Sequence, residues 1–137
     1  MTGIPTILLD ANVLIRFITK DVPEKAERAR ALLKRGEVGE VRLILNAMVV
    51  AEVVYILRAH YKFTYEDIET ILLQLIGSNA VETLERSVVE RALMMVTRHN
   101  IDFEDAYFDV LADVQGWQVA SFDETARKRL GARWIEP

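Results

Sequence analysis

The sequence lacks cysteine and contains only two histidines, His60 and His99. Without cysteine the chain has no disulfides, no thiolate metal sites and no cysteine nucleophile. Both histidines lie at the ends of predicted helices, where surface or capping roles are expected, whereas a histidine-based ribonuclease needs two of them in register. Neither a GxxxxGK[ST] loop nor a GxGxxG motif is present, so no nucleotide cradle is indicated. Any catalytic chemistry must therefore come from other side chains.

Long hydrophobic runs are also absent. The longest, residues 47–57, is interrupted by Glu52 and falls short of the roughly 18–20 residues that cross a membrane. The N-terminal Met-Thr-Gly-Ile-Pro has no basic region followed by an apolar stretch, so no secretion signal is expected. We therefore expect a soluble, cytoplasmic protein without a membrane segment.

A large excess of positive charge is missing too, because the net charge is −4. This argues against a protein that binds nucleic acid through bulk charge alone. It does not exclude a nuclease, since acids gathered in one site contribute much of the negative excess and bound divalent cations reverse the local sign. The length of 137 residues and the hydrophobic content of 51% suit a single domain over residues 1–137.

Short β-rich runs alternate with helical patterns along the whole chain. Strands are predicted at residues 6–10, 41–45, 81–84, 118–121 and 133–135. Helices are predicted from Asp21–Pro23 to a stop at Gly36, and then at residues 47–60, 64–76, 87–99, 102–116 and 124–130. Strands separated by helices imply parallel pairing with right-handed crossovers. We therefore predict a three-layer α/β/α sandwich with a central, mostly parallel sheet.

Glu52 is the most informative residue of the sequence. Its helical neighbours three and four positions away, Met48, Val49, Tyr55 and Ile56, include no lysine or arginine. An unpaired carboxylate among apolar groups costs several kcal/mol or has a raised pKa. Either Glu52 lies on an exposed edge of its helix or pairs with a distant arginine, or it is kept there to hold a cation.

Two further acids follow predicted strands. Asp10 ends the first strand, and Asp123 follows a late one. Because ligand sites of parallel sheets lie beyond the carboxyl ends of the strands, both acids are candidates for a site. Helix capping for Asp10 and a turn for Asp123 remain the alternatives. Asn12 is likewise either a cap or a hydrogen-bonding residue of the site.

Asp105 lies near the start of a predicted helix, where interaction with the helix dipole alone explains an acid. However, Asp109 faces the same way four residues later, within an otherwise apolar segment. Two like charges on one helix face require a reason, and a shared cation is one. Asp109 is a candidate additional ligand.

Magnesium and manganese prefer hard oxygen ligands such as these carboxylates. One or two such ions lower the pKa of bound water and stabilise the charge of a phosphodiester during cleavage. A phosphatase pattern fits less well, because it requires a second aspartate where Asn12 stands. A phospho-acceptor pattern lacks its acceptor aspartate and later lysine.

With these acids in place, the chain resembles PIN-domain proteins, and among them the VapC-type toxins of toxin–antitoxin pairs. The matching stretches span almost the whole chain in the family's order: Ile7–Ile15, Ala47–Val53, Phe103–Ala106 and Ala120–Asp123. Ala11 departs from the pattern, because a threonine or serine is common at that position.

The resemblance implies an α/β/α sandwich and an endoribonuclease dependent on Mg²⁺ or Mn²⁺. It also implies homodimerisation and neutralisation by a small antitoxin protein. The family's metal-site acids match Asp10, Glu52, Asp105 and Asp123, and its supporting polar positions match Asn12 and Ser121. Two alternatives remain open: a PIN nuclease of RNA maturation or decay without an antitoxin, and a non-catalytic PIN-like binding module.

Contacts to the RNA backbone must come from local basic residues, because the overall charge is negative. Arg16 and Lys20 follow the first motif, and Arg127, Lys128 and Arg129 follow Asp123. A solvated surface role is the alternative for each of them. The apolar helices at residues 47–60 and 64–76 are expected to leave a surface for dimerisation or antitoxin binding.

Overall fold

A computed structural model describes residues 3–137. Its backbone forms two compact units, the first ending at Arg86 and the second comprising Ser87–Pro137. Met1 and Thr2, which belong to the stretch examined above for a secretion signal, lie outside the described residues. Each unit contains its own parallel sheet, so the two are described in turn.

The first unit contains a three-stranded sheet with the order β1-β2-β3. Both strand pairs are parallel, and Thr6 lies opposite Arg42 while Leu45 lies opposite Thr83. A pair of helices connects each strand to the next, as parallel pairing requires. The elements are β1 (Thr6–Leu8), α1 (Ala11–Thr19), α2 (Pro23–Glu37), β2 (Arg42–Leu45), α3 (Ala47–Ala59), α4 (Tyr65–Gly77) and β3 (Glu82–Thr83).

The second unit pairs two short strands in parallel, with Val119 opposite Trp134. A helix and one turn of 3₁₀ helix, Gly131–Arg133, connect these strands. The other elements are α5 (Arg86–His99), which begins at the boundary, α6 (Phe103–Gln115), β4 (Val119–Ala120), α7 (Glu124–Leu130) and β5 (Trp134–Ile135).

This architecture confirms the predicted α/β class with parallel strands. Every predicted strand and helix is present, although the strands are shorter than predicted, because pairing stops before the apolar run does. The helix Ala11–Thr19 was not delimited from the sequence. His60 and His99 lie at the ends of α3 and α5, as expected. No helix within residues 3–137 has both the length and the apolar composition needed to span a membrane.

Side-chain caps fix the starts of the two helices that follow β2. The Asn46 side chain accepts a hydrogen bond from the backbone N–H of Val49 at 3.0 Å, and Thr64 accepts one from Asp67 at 3.1 Å. Eight apolar side chains of α3 and α4 are buried, Met48 and Tyr55 are exposed, and others, among them Ile71, Leu73 and Leu75, are half-buried. The surface for dimerisation or antitoxin binding expected on this helix pair stays a prediction.

Gly36 has a different role from the one expected. It lies inside α2 rather than after its end, and the helix continues to Glu37. A Cβ atom at Gly36 would lie 2.3 Å from the carbonyl oxygen of Ala80 and 2.9 Å from a methyl group of Leu43. The left-handed conformation typical of a helix stop occurs at Gly39, where φ is +82°. Gly36 is therefore required by close packing of α2.

We predict that Gly36→Ala lowers the free energy of unfolding by about 2–3 kcal/mol, because overpacking against a backbone carbonyl outweighs the better helix propensity of alanine. Urea denaturation measures the change. Gly77→Ala is the matched control, since a Cβ atom there meets nothing within 4 Å. A Gly36→Ala protein as stable as the Gly77→Ala protein contradicts the packing role.

Candidate active site

In the first unit, Asp10 and Glu52 line one depression of about 240 Å³. Asp10 follows β1 and caps α1, where its Oδ1 atom accepts a hydrogen bond from the backbone N–H of Ala11 at 2.8 Å. Capping, the alternative considered for Asp10, is thus observed, and it leaves the second carboxylate oxygen available to a ligand. The depression is lined by Asp10, Asn12, Ile15, Arg16, Glu52, Ile56 and Tyr61.

Glu52 is exposed on α3, whereas Val53 and Val54 beside it are buried. Glu52 therefore lies on an exposed edge of its helix, which is one of the alternatives considered for it, and the cost of burying an unpaired carboxylate does not arise. The expected absence of a cation partner nevertheless holds: within residues 3–137, no hydrogen bond or ion pair to the Glu52 side chain is present. Glu52 lines the same depression as Asp10.

A hydrogen-bonded cluster around Asp21 lies beside this depression. Asp21 accepts hydrogen bonds from the Arg16 guanidinium at 2.7 Å, from the Tyr61 hydroxyl at 2.6 Å and from the Thr19 hydroxyl at 3.0 Å. The hydrogen bond from Tyr61, followed by that from Arg16, lowers the pKa of Asp21 to about 2. The Arg16 cation is therefore paired with Asp21, although it lines the pocket of Asp10 and Glu52.

We predict that Tyr61→Phe raises the pKa of Asp21 from about 2 toward its ordinary value of 3.8, because the largest cause of the depression is removed. An NMR titration of the Asp21 carboxyl carbon measures this pKa. A depressed folded-state pKa stabilises the protein above the unfolded-state pKa, and this stabilisation is lost as the pH falls toward 2. The free energy of unfolding of Tyr61→Phe should therefore fall less than that of the wild type as the pH is lowered from the unfolded-state pKa toward 2.

Tyr55→Phe serves as the control for this titration, because Tyr55 is exposed on α3 and lies outside the Asp21 cluster. An Asp21 pKa that stays the same in Tyr61→Phe and Tyr55→Phe contradicts the assignment.

In the second unit, Asp105, Asp109 and Asp123 influence one another electrostatically. Partial burial raises the pKa of Asp105, and the nearby Asp102, Asp109 and Asp123 carboxylates raise it further while Arg129 opposes them. Asp105 lies in the first turn of α6 and is partly exposed. A carboxylate whose neighbours disfavour its charge gains from a bound cation.

Asp123 caps α7. Its Oδ1 atom accepts hydrogen bonds from the backbone N–H of Thr125 at 2.9 Å and from the Thr125 hydroxyl at 2.8 Å. These hydrogen bonds lower the pKa of Asp123. The Ser121 hydroxyl accepts a hydrogen bond from the backbone N–H of Asp123 at 3.0 Å. Ser121 thus fixes the turn that presents Asp123.

Asp109, considered as an additional metal ligand, is paired instead with Arg129. The Arg129 Nε atom lies 2.8 Å from Asp109 Oδ2, and both side chains are largely buried. This ion pair explains why two acids share one face of α6. No local pattern in the sequence indicates this pair, because the two residues are 20 positions apart and lie on different helices. Arg129 is therefore occupied by an internal contact rather than free for a backbone phosphate.

The remaining basic candidates differ in where they lie. Lys20 ends α1 in a left-handed conformation with φ 55° and is exposed. Arg127 lies 3.6 Å from Glu124, with its guanidinium 5.5 Å from the centre of the Trp134 ring. Among Arg16, Lys20 and Arg127, Arg16 is the one that lines the pocket of Asp10 and Glu52.

We predict that Arg129→Gln lowers the free energy of unfolding by about 2–3 kcal/mol, because it leaves the buried Asp109 carboxylate without its cation. Guanidinium denaturation at neutral pH measures this change. Arg127→Gln, on the same helix, removes an exposed ion pair and a cation–π contact with Trp134, and should cost less than about 1 kcal/mol. Asp109→Asn combined with Arg129→Gln should recover part of the loss, and no recovery contradicts the pairing.

The acids offer the hard oxygen atoms that Mg²⁺ and Mn²⁺ prefer. In the first unit, one Asp10 oxygen and both Glu52 oxygens lack a hydrogen-bond partner within residues 3–137, so these residues fit such an ion. Over the same described range, no group of three or more His, Asp or Glu side chains is arranged to hold a metal. Asp10 and Glu52 belong to one unit and Asp105 and Asp123 to the other, so their convergence stays a prediction.

Comparison with known proteins identifies the family of the chain. No curated protein matches the chain. The family model described as the PIN domain matches residues 7–130, a range that includes Asp10, Glu52, Asp105 and Asp123. PIN domains are nucleases that generally depend on divalent metal ions, and the parallel α/β architecture fits their α/β/α fold. The chain belongs to the PIN-domain family.

Proposed function

We propose that this protein is a metal-dependent endoribonuclease that acts as the toxin of a toxin–antitoxin pair. One observation carries the catalytic part of the proposal. Asp10 and Glu52, from a strand end and a distant helix, line the same depression without an internal cation partner among the described residues. Two neighbouring carboxylates left unpaired repel each other unless a cation binds.

In this proposal Asp10, Glu52, Asp105 and Asp123 together hold one or two Mg²⁺ or Mn²⁺ ions. The bound cation supplies a Lewis acid for the phosphate charge and lowers the pKa of water. Asn12, which lines the depression of Asp10 and Glu52, is a hydrogen-bond partner for substrate or water there. Ser121 holds the turn of Asp123 in position.

Arg16 binds the RNA backbone beside the carboxylates. Its pairing with Asp21 restricts the guanidinium and prevents it from neutralising Asp10 or Glu52. The other guanidinium N–H groups remain available, because the ion pair uses Nη1. Lys20 and Arg127 are exposed and remain candidate backbone contacts.

An apolar groove of about 360 Å³ supports the proposed antitoxin partner. It is lined by side chains of α1, α2 and α4, including Phe17, Leu33, Ile71 and Leu75. Apolar grooves between helices accept the apolar face of a partner helix. An antitoxin segment bound here would cover side chains that otherwise face water. Homodimerisation and a cytoplasmic location remain predictions.

We predict that Asp10→Asn reduces RNA cleavage by at least about 100-fold, because it removes a metal-binding charge. The fold should persist, since asparagine caps helices as well as aspartate does. The measurement is single-turnover cleavage of labelled RNA with Mg²⁺ or Mn²⁺, together with a thermal melt of each protein. Glu52→Gln should behave in the same way.

Asp67→Asn is the matched control, because it makes the same chemical change on an exposed residue in the first turn of α4. It should retain full activity. Undiminished cleavage by Asp10→Asn, or wild-type cleavage that continues in excess EDTA, would rule out the mechanism.

The alternatives predict different results. A PIN nuclease of RNA maturation or decay shares the metal-dependent cleavage but has no neighbouring gene for a small DNA-binding antitoxin. A non-catalytic binding module shows no cleavage in either metal. Growth arrest on expression that is relieved by the neighbouring gene product, and lost in Asp10→Asn, supports the toxin over both.

A further inference from the structure

A second depression adjoins the pocket of Asp10 and Glu52 in the first unit. Its volume is about 400 Å³, and it shares Asn12 and Arg16 with that pocket. Its other lining residues are Val13 of α1 and Lys25, Arg28 and Ala29 of α2. Three cations therefore line a depression whose lining includes no carboxylate. Its charged lining residues are all cations, whereas the neighbouring pocket contains the carboxylates Asp10 and Glu52.

The basic residues of α2 fall into two groups. Three of them have an acidic partner: Arg30 pairs with Glu27, Lys34 with Glu37 and Arg35 with Glu40. Lys25 and Arg28 have no hydrogen bond or ion pair with any residue of the range 3–137. The two unpaired cations of α2 are the two that line the depression.

Arg28 could have paired within its own helix. Glu24 lies four residues before it, which is the favourable order and spacing for a helical ion pair. Both residues are exposed, yet no such pair is present in the described chain. The positive charge of Lys25 and Arg28 thus remains available for an external anion.

We propose that the depression lined by Arg16, Lys25 and Arg28 binds a backbone phosphate of the RNA substrate, adjacent to the phosphate that is cleaved. This inference rests on the proposed function. A single strand whose scissile phosphate lies at Asp10 and Glu52 carries its next phosphate a short distance away, where this cationic depression begins. Arg16 is common to both pockets and is held by Asp21 at 2.7 Å.

The charge balance of the protein favours such a subsite. With a net charge of −4 and acids at the cleavage site, the protein repels a polyanion unless local cations compensate. Lysine and arginine contacts to phosphates provide affinity without reading sequence, and they depend strongly on salt. The subsite therefore positions the strand, and base recognition must come from other residues.

The binding test uses Asp10→Asn protein, so that the RNA stays intact. Fluorescence anisotropy of a short labelled single-stranded RNA is measured over a sodium chloride series. Adding Lys25→Gln and Arg28→Gln should weaken binding about fivefold to tenfold at low salt and reduce the salt slope by about 1.4 for two lost contacts. The matched control adds Arg35→Gln and Arg42→Gln, which removes two charges already paired with Glu40 and Glu82.

The affinity of the control protein for RNA should lie within about twofold of the affinity of the Asp10→Asn parent. An equal loss of affinity in both proteins would overturn the proposal, because bulk charge then explains the effect. Unchanged RNA binding after Lys25→Gln and Arg28→Gln, with binding of an acidic protein partner lost instead, would also overturn it.

A cleavage test on protein that retains Asp10 distinguishes a failure of this inference from a failure of the proposed function. Lys25→Gln with Arg28→Gln should raise KM for the RNA while leaving kcat nearly unchanged. Cleavage of a dinucleotide, which carries a single phosphodiester, should be the same in wild type and variant. If wild type cleaves neither substrate, the proposed function fails while the anisotropy result still decides whether the depression binds phosphate.

Discussion

The ion pair between Arg16 and Asp21 determines the charge of the first unit's pocket. Arg16 lines the same depression as Asp10 and Glu52, and a guanidinium there would otherwise pair with one of them. Asp21 instead accepts a hydrogen bond from the Arg16 guanidinium at 2.7 Å, and the hydrogen bonds from Tyr61 and then Arg16 lower the pKa of Asp21 to about 2. Asp21 is therefore ionised at any physiological pH. Asp10 and Glu52 therefore have no cation partner among the described residues.

The second unit divides its acids in the same way. Arg129 binds the buried Asp109, whereas Asp105 and Asp123 have no cation in direct contact among the described residues. In each unit, an arginine near the candidate acids is paired with an acid outside the motif. The four motif acids have no ion pair among the described residues, and exposed acids such as Glu24, Asp67 and Glu104 have none either. Charge pairing thus identifies Asp21 and Asp109 as structural acids, and the sequence motifs select the four candidate ligands among the acids that have no ion pair.

Local signals account for what the sequence predicted well. Asn46 and Thr64 cap the helices predicted at residues 47–60 and 64–76, and each accepts a backbone hydrogen bond, because capping depends on residues only three positions apart. The roles of Gly36 and Asp109 were not predictable in this way. Gly36 is determined by the Ala80 carbonyl and Asp109 by Arg129, both distant in sequence. The exposure of Glu52 likewise depends on how α3 packs, which its apolar neighbours alone do not reveal.

A negative protein that binds a polyanion needs its positive charge in a few places rather than in excess. Most of the basic residues on α2 are balanced by glutamates and contribute little attraction at a distance, because each pair is close to neutral beyond the Debye length. Lys25 and Arg28 have no acidic partner among the described residues, and they lie on the side of α2 that lines the depression next to α1. The same helix therefore provides a neutral surface and a cationic one, and the pairing of its other basic residues makes the attraction for RNA local and directional.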